Sequence, residues 1–226
     1  MNTQLPCPFC SSKKGYVYTQ SHYQCLECKR VVDDCCNGEV MNCHPEKDLE
    51  EDVLLNFNKN FENENLFLCQ AKNKDFDELF SIASDKKIWE QHPENDRWKR
   101  DKFSSFFENG IANEFGMLKI YDKILNKIIG STRFYSLDKI DNSIKIGFTF
   151  IVREYWGTTI NYQVKDMMIN YTFQFLDKIY FDIGVHNHRS RKAIEKIGAI
   201  LFNDNVTGNV IYKLRKKDYV NNEIKK

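Results

Sequence analysis

What this chain of 226 residues lacks narrows it first. It has no apolar run approaching the roughly 20 residues that cross a bilayer as a helix, so no membrane span is expected. It has no excess of either charge: 33 Lys and Arg stand against 32 Asp and Glu, a formal net charge of +1. No global field therefore draws it to nucleic acid or to an anionic membrane, although that balance leaves room for a local basic patch. The opening MNTQLPCPFC has no charged segment followed by an apolar one, so no secretory leader is expected and a cytoplasmic location is. There are no internal repeats and no strong low-complexity tract. Cysteine is nearly missing beyond residue 44, where only Cys69 of the eight occurs.

The other seven cysteines crowd the start, and that asymmetry marks a domain boundary. In an intracellular chain they point to reduced thiols or metal binding rather than disulfides. CPFCSSKKGYVYTQSHYQCLEC carries two C-x-x-C pairs, Cys7/Cys10 and Cys25/Cys28, with fourteen residues between them. Each pair folds two sulfurs toward one point, and two pairs supply the four soft tetrahedral ligands that zinc prefers. GYVYTQSHYQC between them alternates enough for a short β-hairpin. Residues 1–44 thus resemble a zinc ribbon. A redox pair uses a single C-x-x-C and fits less well; iron or a cluster on the same thiolates stays open. Cys35, Cys36, Cys43, His22 and His44 are spare, either as substitute ligands or as small packing groups. Lys13, Lys14, Lys29 and Arg30 are offset by Glu27, Asp33, Asp34 and Glu39, and four thiolates around zinc add about two negative charges. Phosphate-driven binding needs positive excess. The ribbon is therefore expected to dock a protein or to be structural, with nucleic acid disfavoured.

Residues 45–63, PEKDLEEDVLLNFNKNFEN, read as an acidic linker or short helix. From about residue 64 the pattern becomes regular, and 42% hydrophobic content with 14% aromatics suffices for a packed core. NLFLCQA reads as a strand, and Phe76, Leu79, Phe80 and Ala83 recur at helical spacing. His92-Pro93 stops a helix, because a residue before proline avoids the helical region. Phe103, Phe106, Phe107 and Ile111 then share a helix face. GMLKIYD, KIIGSTRFYSL and SIKIGFTFIV are strands split by turns. Ile160, Val164, Met167, Met168, Tyr171 and Phe175 form another helix face. KIYFDIG is a strand, HRSRKAIEKIG a helix ended by Gly198, and VIYKLR a closing strand before a polar tail, 220–226. The fold class expected is α/β (α+β), a mixed central sheet flanked by helices.

Between the third of those central strands and the next helix stands REYWGTTIN, residues 153–161. Gly157 lets a backbone approach a ligand closely, and a helix N-terminus favours phosphate; a tight turn capping a core helix is the plainer reading. The order of elements, with IWEQHP, GSTRFY, IGFTFIVREYWGTTIN and NHRSRKAIEKIGA, resembles the GNAT acyltransferases over residues 64–219. The resemblance is nearest the branch that includes the ribosomal-protein alanine acetyltransferases. It implies acetyl-CoA as cosubstrate, held at its pyrophosphate by the amides around Trp156, Gly157, Thr158, Thr159, Ile160 and Asn161. It also implies a splayed strand, with Phe150, Ile151 and Val152 pairing with the pantetheine arm and an amide there stabilising an oxyanion. Asn187 and Ser190 match the family's residues near the pantetheine and the thiol, although Asn187 serves equally as a helix cap. Arg189 and Arg191 either reach CoA phosphates or lie on a solvated face. The chain departs from the family at Thr159, where Gly or Ala is usual, and at Glu154, where Arg or Gln is frequent.

Acetyl transfer to an amine requires removal of a proton from an ammonium. Many GNATs use a carboxylate just before the IG step of the central strand, where this chain has Lys145. His92 is then the candidate base, against a surface histidine that merely stops a helix; Tyr135 is a candidate proton donor, and Ser190, which the resemblance sets near the thiol, a further catalytic candidate. Glu90, His92 and Arg133 are candidates for acceptor binding. The expected activity is transfer of acetyl to a primary amine, either a protein N-terminus or a small amine. The competing expectation is a zinc-ribbon interaction module joined to a GNAT-like domain without catalysis.

Overall fold

The computed structural model describes residues 7, 9–19, 22–30, 56–206 and 208–223. The chain divides into two compact units, Met1–Val53 and Leu54–Lys226. Cys35, Cys36, Cys43, His44 and most of the expected linker lie outside the described residues. In the first unit, strands β1 (Tyr16–Thr19) and β2 (His22–Cys25) pair antiparallel, with Tyr16 opposite Cys25, which is the expected hairpin.

The second unit is built on an eight-stranded sheet. Its elements are β3 (Phe61–Glu62), β4 (Leu66–Gln70), α1 (Phe76–Ala83), α2 (Lys86–Trp89), α3 (Arg100–Ile111), β5 (Leu118–Asp122), β6 (Lys127–Asp138) and β7 (Ser143–Ile151). They continue with α4 (Ile160–Thr172), β8 (Lys178–Gly184), α5 (His188–Ile197), β9 (Ile200–Val206), β10 (Asn209–Arg215) and α6 (Lys216–Glu223). The strand order is β3-β4-β5-β6-β7-β8-β10-β9. All neighbours pair antiparallel except β7 and β8, which run parallel. The mixed sheet flanked by helices is as expected.

The sequence pattern dictates most of this locally. α1 buries Leu79 and Ala83, and α3 buries Phe103, Phe106 and Phe107, each set one helical turn apart. These helices join Trp89, Met117 and Phe150 in one apolar cluster. A second cluster gathers Leu66, Ile120, Ile129, Phe134, Ile146 and Ile179 with Val164, Met168 and Ile169 of α4. α5 ends at Gly198, in the left-handed region at φ 100°.

The boundaries differ from the expectation at both ends of this unit. Phe57 is fully buried and its ring meets those of Phe115, Phe134 and Tyr171, while Phe61 opens an edge strand. The segment therefore anchors the core from Phe57 on rather than linking to it; its polar neighbours hid two aromatic anchors. At the other end α6 runs through Glu223 and buries Tyr219, where a polar tail from residue 220 was expected. Residues 224–226 lie outside the described residues.

Candidate active site

β7 leaves its parallel neighbour part-way along. Ser143, Ile144 and Lys145 pair with Lys178, Ile179 and Tyr180, and the pairing then ends. β8 continues against β10 while β7 continues against β6, so the two open a V with strand backbone along its side. Inside the V lies a bulge. Ser131 faces Phe150 but Arg133 faces Gly147, and Phe148 sits at φ 52°. One extra residue inverts the alternation of faces. Ile144, Ile146 and Ile151 belong to one core and Phe150 to the other. Thr149 is tied from the α4 side, sharing a 2.8 Å hydrogen bond with Thr132 and accepting another, 2.6 Å, from the buried Lys165. A non-glycine residue at positive φ persists only where its surroundings hold it, and this clamp does so.

The loop after β7 makes a single 3-10 turn, Arg153–Tyr155, and reaches Gly157 at φ 77°. No heavy atom lies within 4 Å of where a Cβ on Gly157 would stand, so the space above it is open. The Tyr155 carbonyl accepts from the Thr158 N–H (3.3 Å) and from its hydroxyl (2.7 Å). Thr159 has φ −78° and ψ −6°, which no glycine is needed to adopt. Its hydroxyl accepts from Gln163 (3.0 Å), leaving its own hydrogen to donate. Backbone bonding along α4 begins with Gln163 to the Thr159 carbonyl (2.9 Å), and the first-turn amides precede it. Glu154 is exposed, and Arg153 is paired with Asp85.

Beside the bulge is a cavity of about 490 Å³ bordered by Phe148, Tyr135, Arg133, Arg97, Phe106 and Asn109, among others. Gly147 makes room for Tyr135, since a Cβ there would lie 3.0 Å from the phenol ring. The Tyr135 hydroxyl donates to Asp182 Oδ2 on β8 (3.3 Å), which also pairs with Lys145 Nζ (2.8 Å). Burial and the Asp182 carboxylate push the Tyr135 hydroxyl well above its ordinary pKa, so it keeps its proton at neutral pH. Asp182 Oδ1 has no partner among the described residues. The side chain is 29% exposed, and so a carboxylate does stand at the mouth of the V, carried by the neighbouring strand.

A family model of the GNAT acetyltransferase domain matches residues 65–200. The chain belongs to the GNAT acetyltransferase family. Solved structures of similar fold include a GCN5-related N-acetyltransferase from Brucella melitensis, 18% identical, with TM-score 0.62 over 72% of this chain and 81% of that one. A protein from Chromobacterium violaceum described as a probable acetyltransferase of the GNAT family is 14% identical, with TM-score 0.63 over 72% of this chain and 89% of that one. Spermidine N-acetyltransferase from Vibrio cholerae, solved with CoA and spermine, is 17% identical, with TM-score 0.54 over 70% of this chain and 99% of that one. No curated protein sequence matches the chain significantly.

Within this GNAT domain the expected site residues fall into distinct places. His92 borders Arg97: its Nδ1 accepts from the Glu94 N–H (3.0 Å) and its Nε2 faces Arg97 (3.3 Å). Burial, reinforced by the Arg97 charge, lowers its pKa to about 4, so it is neutral and weakly basic. Glu90 is exposed, and its charge acts on Arg189 rather than on the cavity. Asn187 caps α5, accepting from the Ser190 N–H (3.1 Å), which realises the capping alternative. Arg189 stacks 3.8 Å over the Trp156 ring and donates to the Ile88 carbonyl (3.0 Å). Arg191 donates to Tyr212 (3.1 Å) and to the Val185 carbonyl (3.0 Å), so both arginines are spent on protein groups. Of the three residues expected against pantetheine, Val152, just past β7, commits its N–H to Ile129 (2.8 Å), and Ile151 its carbonyl to Trp156 Nε1 (3.0 Å). The Phe150 carbonyl lies against Gly130 on β6. Asp182, Arg97 and Lys165 were missed by sequence reasoning; the signal for Asp182 was one acid inside the apolar strand KIYFDIG.

In the first unit Cys7, Cys10, Cys25 and Cys28 converge, their sulfurs all within 4.8 Å of one another. Cys7–Cys28 and Cys10–Cys25 are each 3.8 Å apart, and all four are free thiols. The edge of a tetrahedron with Zn–S bonds of about 2.3 Å is also about 3.8 Å. The two turns are alike: the Ser11 N–H donates to the Cys7 carbonyl (2.8 Å) and the Lys29 N–H to the Cys25 carbonyl (3.0 Å). Ser11 and Lys29 have φ 55° and 60°. The donor set and its spacing fit zinc.

Proposed function

We propose that the chain is an acetyl-CoA-dependent N-acetyltransferase acting on a primary amine, with a structural zinc ribbon at its start. The observation that carries this reading is the parting of β7 from β8 beyond Lys145, with a bulge in the opening and the Gly157 loop at the head of α4. That combination offers free strand backbone to a pantetheine arm and open space with helix-terminal amides to a pyrophosphate. When bound, acetyl-CoA supplies the activated acetyl group. Around it Asp182 takes the proton from the acceptor ammonium, Tyr135 keeps a proton for the departing thiolate, and an amide at the bulge steadies the oxyanion. Lys145 in place of the familiar acid was, with Thr159, the ground for expecting an inactive domain, and Asp182 opposite Lys145 weakens that part of it. The CoA held by the Vibrio cholerae relative supports the cosubstrate. The reduced thiols accord with a cytoplasmic setting, and the ribbon's balanced charge accords with a protein partner or a structural role.

Calorimetric titration of the zinc-loaded protein with acetyl-CoA tests this, beside Gly157→Ala and Gly157→Trp. Wild type is expected to bind with micromolar affinity. Gly157→Ala adds only a Cβ into open space and the strain of positive φ, about 1 kcal/mol, so binding persists. Gly157→Trp fills the cradle and abolishes it. Absence of binding by folded wild type would sink the enzyme reading.

A further inference from the structure

We propose that the acetyl acceptor is a zwitterionic amine of amino-acid type, whose carboxylate pairs with Arg133 in the cavity beside the bulge. The inference rests on the acetyltransferase reading above and narrows its acceptor. Arg133 is 5% exposed and borders the cavity. Its Nε is shut from solvent and has no hydrogen-bond partner among the described residues. Its guanidinium instead lies 3.7 Å from the Phe148 ring centroid and 5.2 Å from that of Phe106. Burial, with Arg97 nearby, pulls its pKa down to about 10. A buried cation without a counter-ion is costly, and contact with aromatic faces offsets only part of that cost.

The other charges around the cavity are already matched. Arg97 donates from Nε to Glu94 (2.8 Å), and Asp96 lies 3.9 Å from Lys99. Lys102 stands exposed at the rim, where water solvates it. The buried interior therefore holds one uncompensated positive charge, which suits a monoanionic carboxylate gripped by a planar fork. A dianionic phosphate would be left half neutralised, and a polyamine would meet two arginines. Tyr135 follows Arg133 by two residues on the same face of β6, and its hydroxyl reaches Asp182. A molecule with its carboxylate on Arg133 so directs its amine toward the mouth of the V.

Ligand-observed saturation-transfer NMR on the full chain, saturated with CoA, tests the proposal. The probes are a pool of L-amino acids, the same pool as carboxamides, spermidine and phosphoethanolamine. At least one free amino acid is expected to bind, its carboxamide roughly tenfold or more weaker. Arg133→Gln should lose that binding and Arg133→Lys retain part of it; should the glutamine variant fail to fold, the lysine variant decides alone. Equal binding of acids and carboxamides, preference for spermidine or phosphoethanolamine, no amino acid bound, or binding indifferent to Arg133 would each overturn it. Titration of CoA-free protein from the same preparation with acetyl-CoA separates the failures: acetyl-CoA bound without any amino acid refutes the acceptor alone, and no acetyl-CoA bound refutes the enzyme.

Discussion

At His92 the ring nitrogen that would have to take a proton already accepts one hydrogen bond, from the Glu94 amide, and the other faces a guanidinium. Its pKa is lowered from 6.5 to about 4 by burial first and by Arg97 second. Asp182, in contrast, has a partly exposed side chain whose Oδ2 meets Tyr135 and Lys145, while Oδ1 is shut from solvent and unpartnered among the described residues. The two residues therefore part company under mutation. Asp182→Asn is expected to cut kcat by roughly 100-fold, the order of one general base, with acetyl-CoA affinity little changed. His92→Gln should leave kcat within a few-fold. It should alter stability in acid: between pH 4 and 6.5 the unfolded imidazole binds a proton that the folded one refuses, so folding loses stability as pH falls through that window. The loss is at most about 1.4 kcal/mol per pH unit, and urea unfolding of His92→Gln should show a flatter slope there. Equal loss of kcat in both variants would return His92 to the chemistry.

β7 shows why a strand legible from its pattern can still hide what it does. IKIGFTFIV alternates well enough to be read as a strand, and alternation alone would place Ile146, Phe148 and Phe150 on one face. The bulge at Phe148 instead sends Phe150 to the core that α1 and α3 share and leaves Thr149 facing α4. Nothing in a period of two announces an inserted residue; the bulge depends on contacts from β6 and α4. Lys165 is the α4 contact, buried at 4% exposure and donating to Thr149 (2.6 Å) and Thr132 (3.4 Å). Desolvation lowers its pKa from 10.5 to about 7. Between those values the unfolded lysine is protonated and the folded one is not, so stability rises with pH through that window and the penalty is complete below pH 7. Each pH unit of that window is worth about 1.4 kcal/mol. Lys165→Met should therefore stabilise the fold by several kcal/mol at about pH 6 and hardly at all at about pH 10.5. With Thr149 released, the same variant should lose kcat while still binding acetyl-CoA. Urea unfolding that finds the variant equally stabilised at both pH values would show that the lysine reaches water.

Across the whole molecule, legibility followed distance along the chain. The four cysteines and the Gly157 loop lie in short motifs and were readable, as was the run of strands and helices. Arg97 and Asp182 come to the V from the α2–α3 connection and from β8, and only the folded sheet brings them to β6 and β7. The second unit's two cores draw on no described residue before Phe57. It has its own sheet, its own cradle and its own cavity, whereas the described residues of the hairpin unit hold two short strands and four converging thiols. A module that small gains its folding energy from the metal, and a unit of roughly 170 residues with a large core does not need it. Cys25→Ser removes one of four ligands at a buried position. Zinc released by a mercurial and read with a colorimetric chelator should be about one equivalent for wild type and far less for the variant. Calorimetry with acetyl-CoA should return the same affinity for both. If affinity collapses along with the zinc, the ribbon is shaping the acetyl-CoA site, and the division of labour between the two units falls.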